Sequence, residues 1–133
     1  MSENNEKRVY VAVAGTVQSP TKSIVQPPGR QIAQACHVVT LLRHNNMYLR
    51  VRVDGKAISN FFRPITTIIL QARDSNELKH VSDLLYEKKR LYPVFFFDEN
   101  PEYGEQELCT AIAVLATKDQ ITGILDYLPL WKG

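Results

Sequence analysis

The feature that most constrains this chain is Thr66–Ala72, which reads Thr-Thr-Ile-Ile-Leu-Gln-Ala with its large apolar residues on consecutive positions. A strand with one wet face alternates apolar and polar residues, whereas a strand covered on both faces has no such need. The fold must therefore supply a layer on each side of a sheet. The segments around this strand provide those layers. Val9–Gly15 alternates and is rich in β-branched residues, so it reads as a strand. Thr16–Pro28 holds three prolines and reads as a long loop feeding a helix from Arg30 to His44. Asp74 or Ser75 caps a second helix running to Arg90, with Leu78, Val81 and Leu85 as its apolar stripe. Tyr92–Phe97 is a strand closed by Asp98, Leu108–Ala116 is the last strand, and Thr117 caps a short helix to about Leu125. Leu128–Trp131 is either packed or frayed. Between His44 and Pro64 two readings stay open. Tyr48–Val53 alternates like an edge strand before an Asp54-Gly55 turn, while Ala57–Phe62 fits a helix equally well. This order predicts a three-layer α/β domain with a mixed sheet over residues 8–133, after a disordered tail of residues 1–7.

Composition narrows the function classes. The chain has 133 residues, 44% hydrophobic and 23% charged, which suits one soluble domain with a sizeable core. Its apolar runs are far shorter than the roughly 20 residues of a membrane helix, and Met1–Lys7 is polar rather than a leader, so the expected compartment is the cytoplasm with no membrane partner. Cys36 and Cys109 form neither a disulfide framework nor a metal spacing, and both are expected as small buried hydrophobes. His37, His44 and His80 have no metal spacing with them, so no metal is expected. The net charge of +2 is small but unevenly spread. Arg43, Arg50, Arg52, Lys56 and Arg63 form a basic segment, and Asp98, Glu99, Glu102, Glu105 and Glu107 an acidic loop.

The first helix carries chemistry on one side. With Arg30 at zero and about 100° per residue, Gln34 falls near 40° and His37 near −20°. Ile32, Ala35, Cys36, Val39 and Leu42 fall between about 120° and 240°, which predicts the core-facing stripe. The polar face of Arg30, Gln34 and His37 is either a solvated surface or the floor of a site. A Cys36–His37 nucleophilic pair is excluded, because adjacent helical side chains point about 100° apart. No phosphate-binding glycine loop and no nucleophile elbow is present. Ligands in open α/β sheets sit beyond the carboxyl ends of strands. Asp98 closes such a strand, so the helix start and Asp98 converge if the first strand runs parallel to the one ending there.

The segment Gly29-Arg30-Gln31-Ile32-Ala33-Gln34-Ala35-Cys36-His37 resembles the first-helix motif Gly-Lys-x-Ala-Ala-Gln-x-x-His of the archaeal and eukaryotic-type peptidyl-tRNA hydrolases. The similarity extends over the strand, helix and strand from Thr66 to Phe97 and the strand holding Thr110. It implies a four-stranded mixed sheet with helices on both faces, often in a dimer. It also implies hydrolysis of the ester joining peptide to the 3′ end of tRNA, without metal or cofactor. By position it implies catalytic roles for Arg30, Gln34, Asp98 and Thr110. His37, Arg43, Arg50, Arg52 and Lys56 become candidates for substrate contact, the basic ones to tRNA phosphate. The chain departs from the family in several places, among them the long Thr16–Pro28 loop and Pro28 where the family has lysine before Gly29. Arg30 stands where the family has lysine, and Glu99-Asn100-Pro101-Glu102 follows the aspartate where the family has Ala-Gly, a basic residue and threonine. Carboxylates there repel phosphate. Two alternatives therefore stand beside tRNA-ester hydrolysis: a non-catalytic binding or regulatory member of the fold, and a hydrolase for a smaller cationic substrate.

Overall fold

A computed structural model describes residues 6–19, 21–46, 50–53, 56–62, 65–99 and 107–133. Strand β1 (Lys7–Gln18) is followed by the short β2 (Ser23–Val25), helix α1 (Pro28–Asn45) and a hairpin of β3 (Arg50–Val53) and β4 (Lys56–Phe62). Then come β5 (Thr67–Asp74), α2 (Ser75–Lys89), β6 (Val94–Glu99), β7 (Glu107–Thr117) and α3 (Lys118–Ile121).

β1 is the centre of the sheet. It pairs parallel with β5 on one side and antiparallel with β7 on the other, and β6 lies outside β7. The last residues of β1 pair antiparallel with β2, so the principal sheet has five strands where four were expected. The extra strand falls inside the proline-containing loop, where Ser23-Ile24-Val25 is too short to register as a periodic pattern. The sheet is mixed, and the α/β class matches the expectation from sequence.

Alternation along β1 sorts the core into two clusters. Val9, Val11 and Val13 pack with Ala35, Val38 and Leu42 of α1. Tyr10, Ala12 and Ala14 pack with Leu78, Val81 and Leu85 of α2 and with Ile121, Ile124 and Leu125. Successive strand residues point to opposite faces, so α1 and α2 cover opposite sides of the sheet. The helix ends follow local chemistry. The Asp74 carboxylate accepts the Glu77 N–H at 2.9 Å as the α2 N-cap, and Arg90 ends that helix in the left-handed region at φ 54°. Thr117 and Gln120 form a reciprocal capping box on α3. α1 has no side-chain cap and begins with Pro28, whose missing N–H is no loss at that position.

Several boundaries differ from expectation. Lys7, placed in the tail, already belongs to β1, while residues 1–5 lie outside the described residues. Ala57–Phe62 is strand, paired with β3, and the Asp54-Gly55 turn lies outside the described residues. α3 ends at Ile121, and turns continue beyond it. The C-terminal segment is packed. The N–H groups of Gln71 and Trp131 donate to Pro129 and Ile69, and Leu130 bridges Leu70, so this segment runs along β5.

Candidate functional site

β6 runs antiparallel to β7, and β7 antiparallel to β1, so β1 and β6 are parallel and end at the same edge. Phe96 and Val13 flank Ala111, which sets Asp98 about level with Gly15. The Gly15 carbonyl accepts the Gln26 N–H at 2.8 Å, which brings the chain to this edge two residues before α1 begins. The helix start and the strand end therefore converge as the sequence suggested. Gln34 Nε2 donates to Asp98 Oδ2 at 2.9 Å across 64 residues of sequence. One α1 turn further on, the His37 ring stacks on Phe96, with centroids 4.9 Å apart and planes 22° from parallel.

α1 is rotated relative to the expected stripe. Its buried residues are Gln31, Gln34, Ala35, Val38 and Leu42, whereas Ile32 and Cys36 are exposed. Cys36 is thus no core residue, and Cys109 is half-buried. The physical reason is that two glutamines find partners inside. Gln31 donates from Nε2 to the Gln26 carbonyl at 2.7 Å, and its Oε1 accepts Trp131 Nε1–H at 3.1 Å. Gln34 is held by Asp98. A buried amide whose groups are bonded avoids most of its desolvation cost, so polar residues can occupy the inward face. The polar face drawn from the helical wheel is accordingly split. Gln34 is only 4% exposed, Arg30 is half-buried and His37 is exposed.

Thr110 sits at an irregularity in the β6–β7 pairing. Phe96 faces Ala111 and Phe97 faces Cys109, so Thr110 is the extra residue of a bulge, a device common beside functional sites. It is 1% exposed, and among the described residues neither its hydroxyl nor Gln34 Oε1 has a hydrogen-bond partner. Just beyond, Glu99 and Glu107 face each other across the strands. A hydrogen bond to Glu99 and its charge raise the Glu107 carboxyl above its usual value. The site therefore offers a fixed carboxylate and a fixed amide, with Arg30 one helical turn before Gln34 and acidic groups at the strand end.

The candidate substrate contacts are more dispersed. Arg43 lies on the last turn of α1, about 20 Å along the helix from Arg30 at 1.5 Å per residue. The backbones of Arg50 and Arg52 lie in β3 and that of Lys56 in β4, in a two-stranded sheet of their own. Arg63, Glu102 and Glu105 lie outside the described residues. Sequence reasoning missed Gln31 and Trp131. A buried glutamine one turn from the helix start carries no periodic signal, and its partner is 100 residues away. Among the described residues, no three His, Cys, Asp or Glu side chains group as a metal site, and no helix is long and apolar enough to cross a membrane. The chain matches no protein-family model and no curated protein.

Proposed function

We propose that the chain is a peptidyl-tRNA hydrolase-like protein that cleaves the ester bond between a peptide and tRNA. The observation that carries this reading is the Gln34 Nε2–Asp98 Oδ2 bond at 2.9 Å, which joins two residues whose positions match the family motif. Ester hydrolysis needs an activated water and a stabilised oxyanion. Asp98, held by one oxygen, has a second oxygen with which to orient the water and accept its proton. Arg30 and the remaining Gln34 N–H serve the oxyanion, and Thr110 supports the pair from the bulge. Arginine keeps its proton at any working pH, so here the cation acts as a fixed charge and never as a base. Arg43, Arg50, Arg52 and Lys56 contact tRNA phosphates, and His37 contacts the substrate near its scissile end.

A second reading keeps hydrolysis and changes the substrate to a smaller cationic ester. It is favoured by the facing carboxylates of Glu99 and Glu107, which attract a cation and repel phosphate. The test is turnover of an N-blocked aminoacyl-tRNA by the wild type and by Asp98→Asn. The expected result is turnover by the wild type and loss of at least ~100-fold in the variant. No turnover by the wild type, under conditions where a control hydrolase works, refutes the first reading. Equal turnover by both refutes the role given to Asp98. Loss of binding with added salt identifies phosphate contacts, and salt-insensitive cleavage of a small cationic ester supports the second reading.

A further inference from the structure

α2 ends on an arginine where helices favour glycine. Arg90 takes the left-handed conformation at φ 54°, with its N–H donating to the Tyr86 carbonyl and the Leu91 N–H to that of Leu85. A side chain retained at such a position points to a use for it. The Arg90 guanidinium lies over the Tyr86 ring, 5.5 Å from its centre. The same turn folds Tyr92 back onto Tyr86, with ring centres 5.3 Å apart and planes 59° from parallel. Val94 and Phe96 pack with α1, so Phe95 lies on the α2 side of the sheet. Tyr86, Tyr92 and Phe95 line a depression of about 280 Å³ together with Asp83, Leu91 and Pro93. Ser82 lines it too, but its hydroxyl is engaged by the Leu78 carbonyl at 2.8 Å. All three rings are exposed, Tyr92 at 72%.

This lining selects a ligand by its chemistry. Aromatic faces attract a cation, and Asp83 adds a carboxylate to three of them. Much of the remaining surface is ring, leucine and proline carbon. It suits an ammonium whose N–H groups are replaced by methyls, because such a group has no hydrogen bonds to lose. Charge just outside supplies the second half of the argument. Lys89 stands one turn beyond Tyr86 on α2, and Arg90 already lies over that ring. A bare cation is repelled by these two groups, whereas a ligand with an anion beside its ammonium is attracted by them.

We propose that the depression between the end of α2 and the start of β6 binds a zwitterion of the phosphocholine type. The quaternary ammonium sits among Tyr86, Tyr92, Phe95 and Asp83, and the phosphate meets Arg90 and Lys89. The depression lies on the α2 side of the sheet, whereas Gln34 meets Asp98 on the α1 side, so this binding does not depend on ester hydrolysis.

Isothermal titration of the full chain with phosphocholine, choline and phosphoethanolamine tests it. Phosphocholine is expected to bind, and the other two to bind at least ~5-fold more weakly. Tyr92→Ala and Asp83→Asn each weaken phosphocholine by about 10-fold. Arg90→Gly keeps the left-handed turn and removes the guanidinium, so it erases the preference for phosphocholine over choline. Circular dichroism of each variant reports folding. Flotation with phosphatidylcholine vesicles, competed by free phosphocholine, identifies a lipid headgroup as the source, and binding of the free compound alone identifies a soluble one. No binding of phosphocholine up to ~10 mM together with no vesicle binding overturns the proposal. So does equal affinity for all three compounds, or phosphocholine binding that neither Tyr92→Ala nor Asp83→Asn changes.

Discussion

Replacing Trp131 by phenylalanine removes the indole N–H together with part of the fused ring, and that N–H donates to Gln31 Oε1 at 3.1 Å. Gln31 is 8% exposed, so water does not freely replace the lost donor. An orphaned buried acceptor costs about 1–3 kcal/mol, and the smaller ring gives up some apolar contact with the α1-side core. We expect Trp131→Phe to lower stability by about 2 kcal/mol, or the melting temperature by about 8 °C at roughly 4 °C per kcal/mol. A double-mutant cycle isolates the bond. Gln31→Leu alone strands the indole N–H, whereas the double variant removes donor and acceptor of this bond together. The coupling energy is therefore expected at about 1–2 kcal/mol. The assay is urea unfolding followed by far-ultraviolet circular dichroism, since the chain has only one tryptophan and the substitution removes it. Additive losses, within about 0.3 kcal/mol, would refute the claim that this bond ties the C-terminal segment to the start of α1. The same bond holds the turn between Arg30 and Gln34, so its loss is also expected to loosen the Gln34–Asp98 contact.

Two further outcomes follow from local chemistry. Burial pushes the Cys109 thiol from its ordinary 9.0 to about 11, so at pH 8 its thiolate is about 100-fold scarcer than that of an unperturbed thiol. A thiol reagent should therefore modify exposed Cys36 first and Cys109 in a separate slow phase, and a single fast phase for both would contradict the burial of Cys109. Because folding raises this pKa, the group's contribution to stability is present below pH 9 and fades as pH rises through about 11. At the N-terminus of α2, Asp74→Ala removes the carboxylate that accepts the Glu77 N–H and should cost about 1 kcal/mol. Asp74→Asn should recover most of that loss in the same thermal melt.

What could be read from the sequence was local. Asp74, one of the two candidates, caps α2 and Thr117 caps α3 as expected, and Thr67–Asp74 is a strand because its β-branched and apolar residues suit a covered sheet. The meeting of α1 with Asp98 was legible too, since it needs only the strand direction and the rule of carboxyl ends. The inward face of α1 was not, because a helical wheel weighs hydrophobicity and cannot know that Gln31 and Gln34 have partners 100 and 64 residues away. β4 was ambiguous for the same reason: pairing with β3 decides Ala57–Phe62, and pairing is not a property of the segment.

The two faces of β6 follow from one another once Asp98 is placed. Asp98 bonds Gln34 on the α1 side, so the two-residue period of a strand puts Phe96 and Val94 there and sends Phe97 and Phe95 to the other face. On an inner strand those rings would be core. On the outermost strand they are exposed, and the bulge at Thr110 adjusts the register with β7 at the same point. A one-residue slip of β6 would bury Phe97 beneath α1 and lift the Asp98 carboxylate off Gln34. The candidate site and the exposed aromatic face of β6 are thus two consequences of a single register.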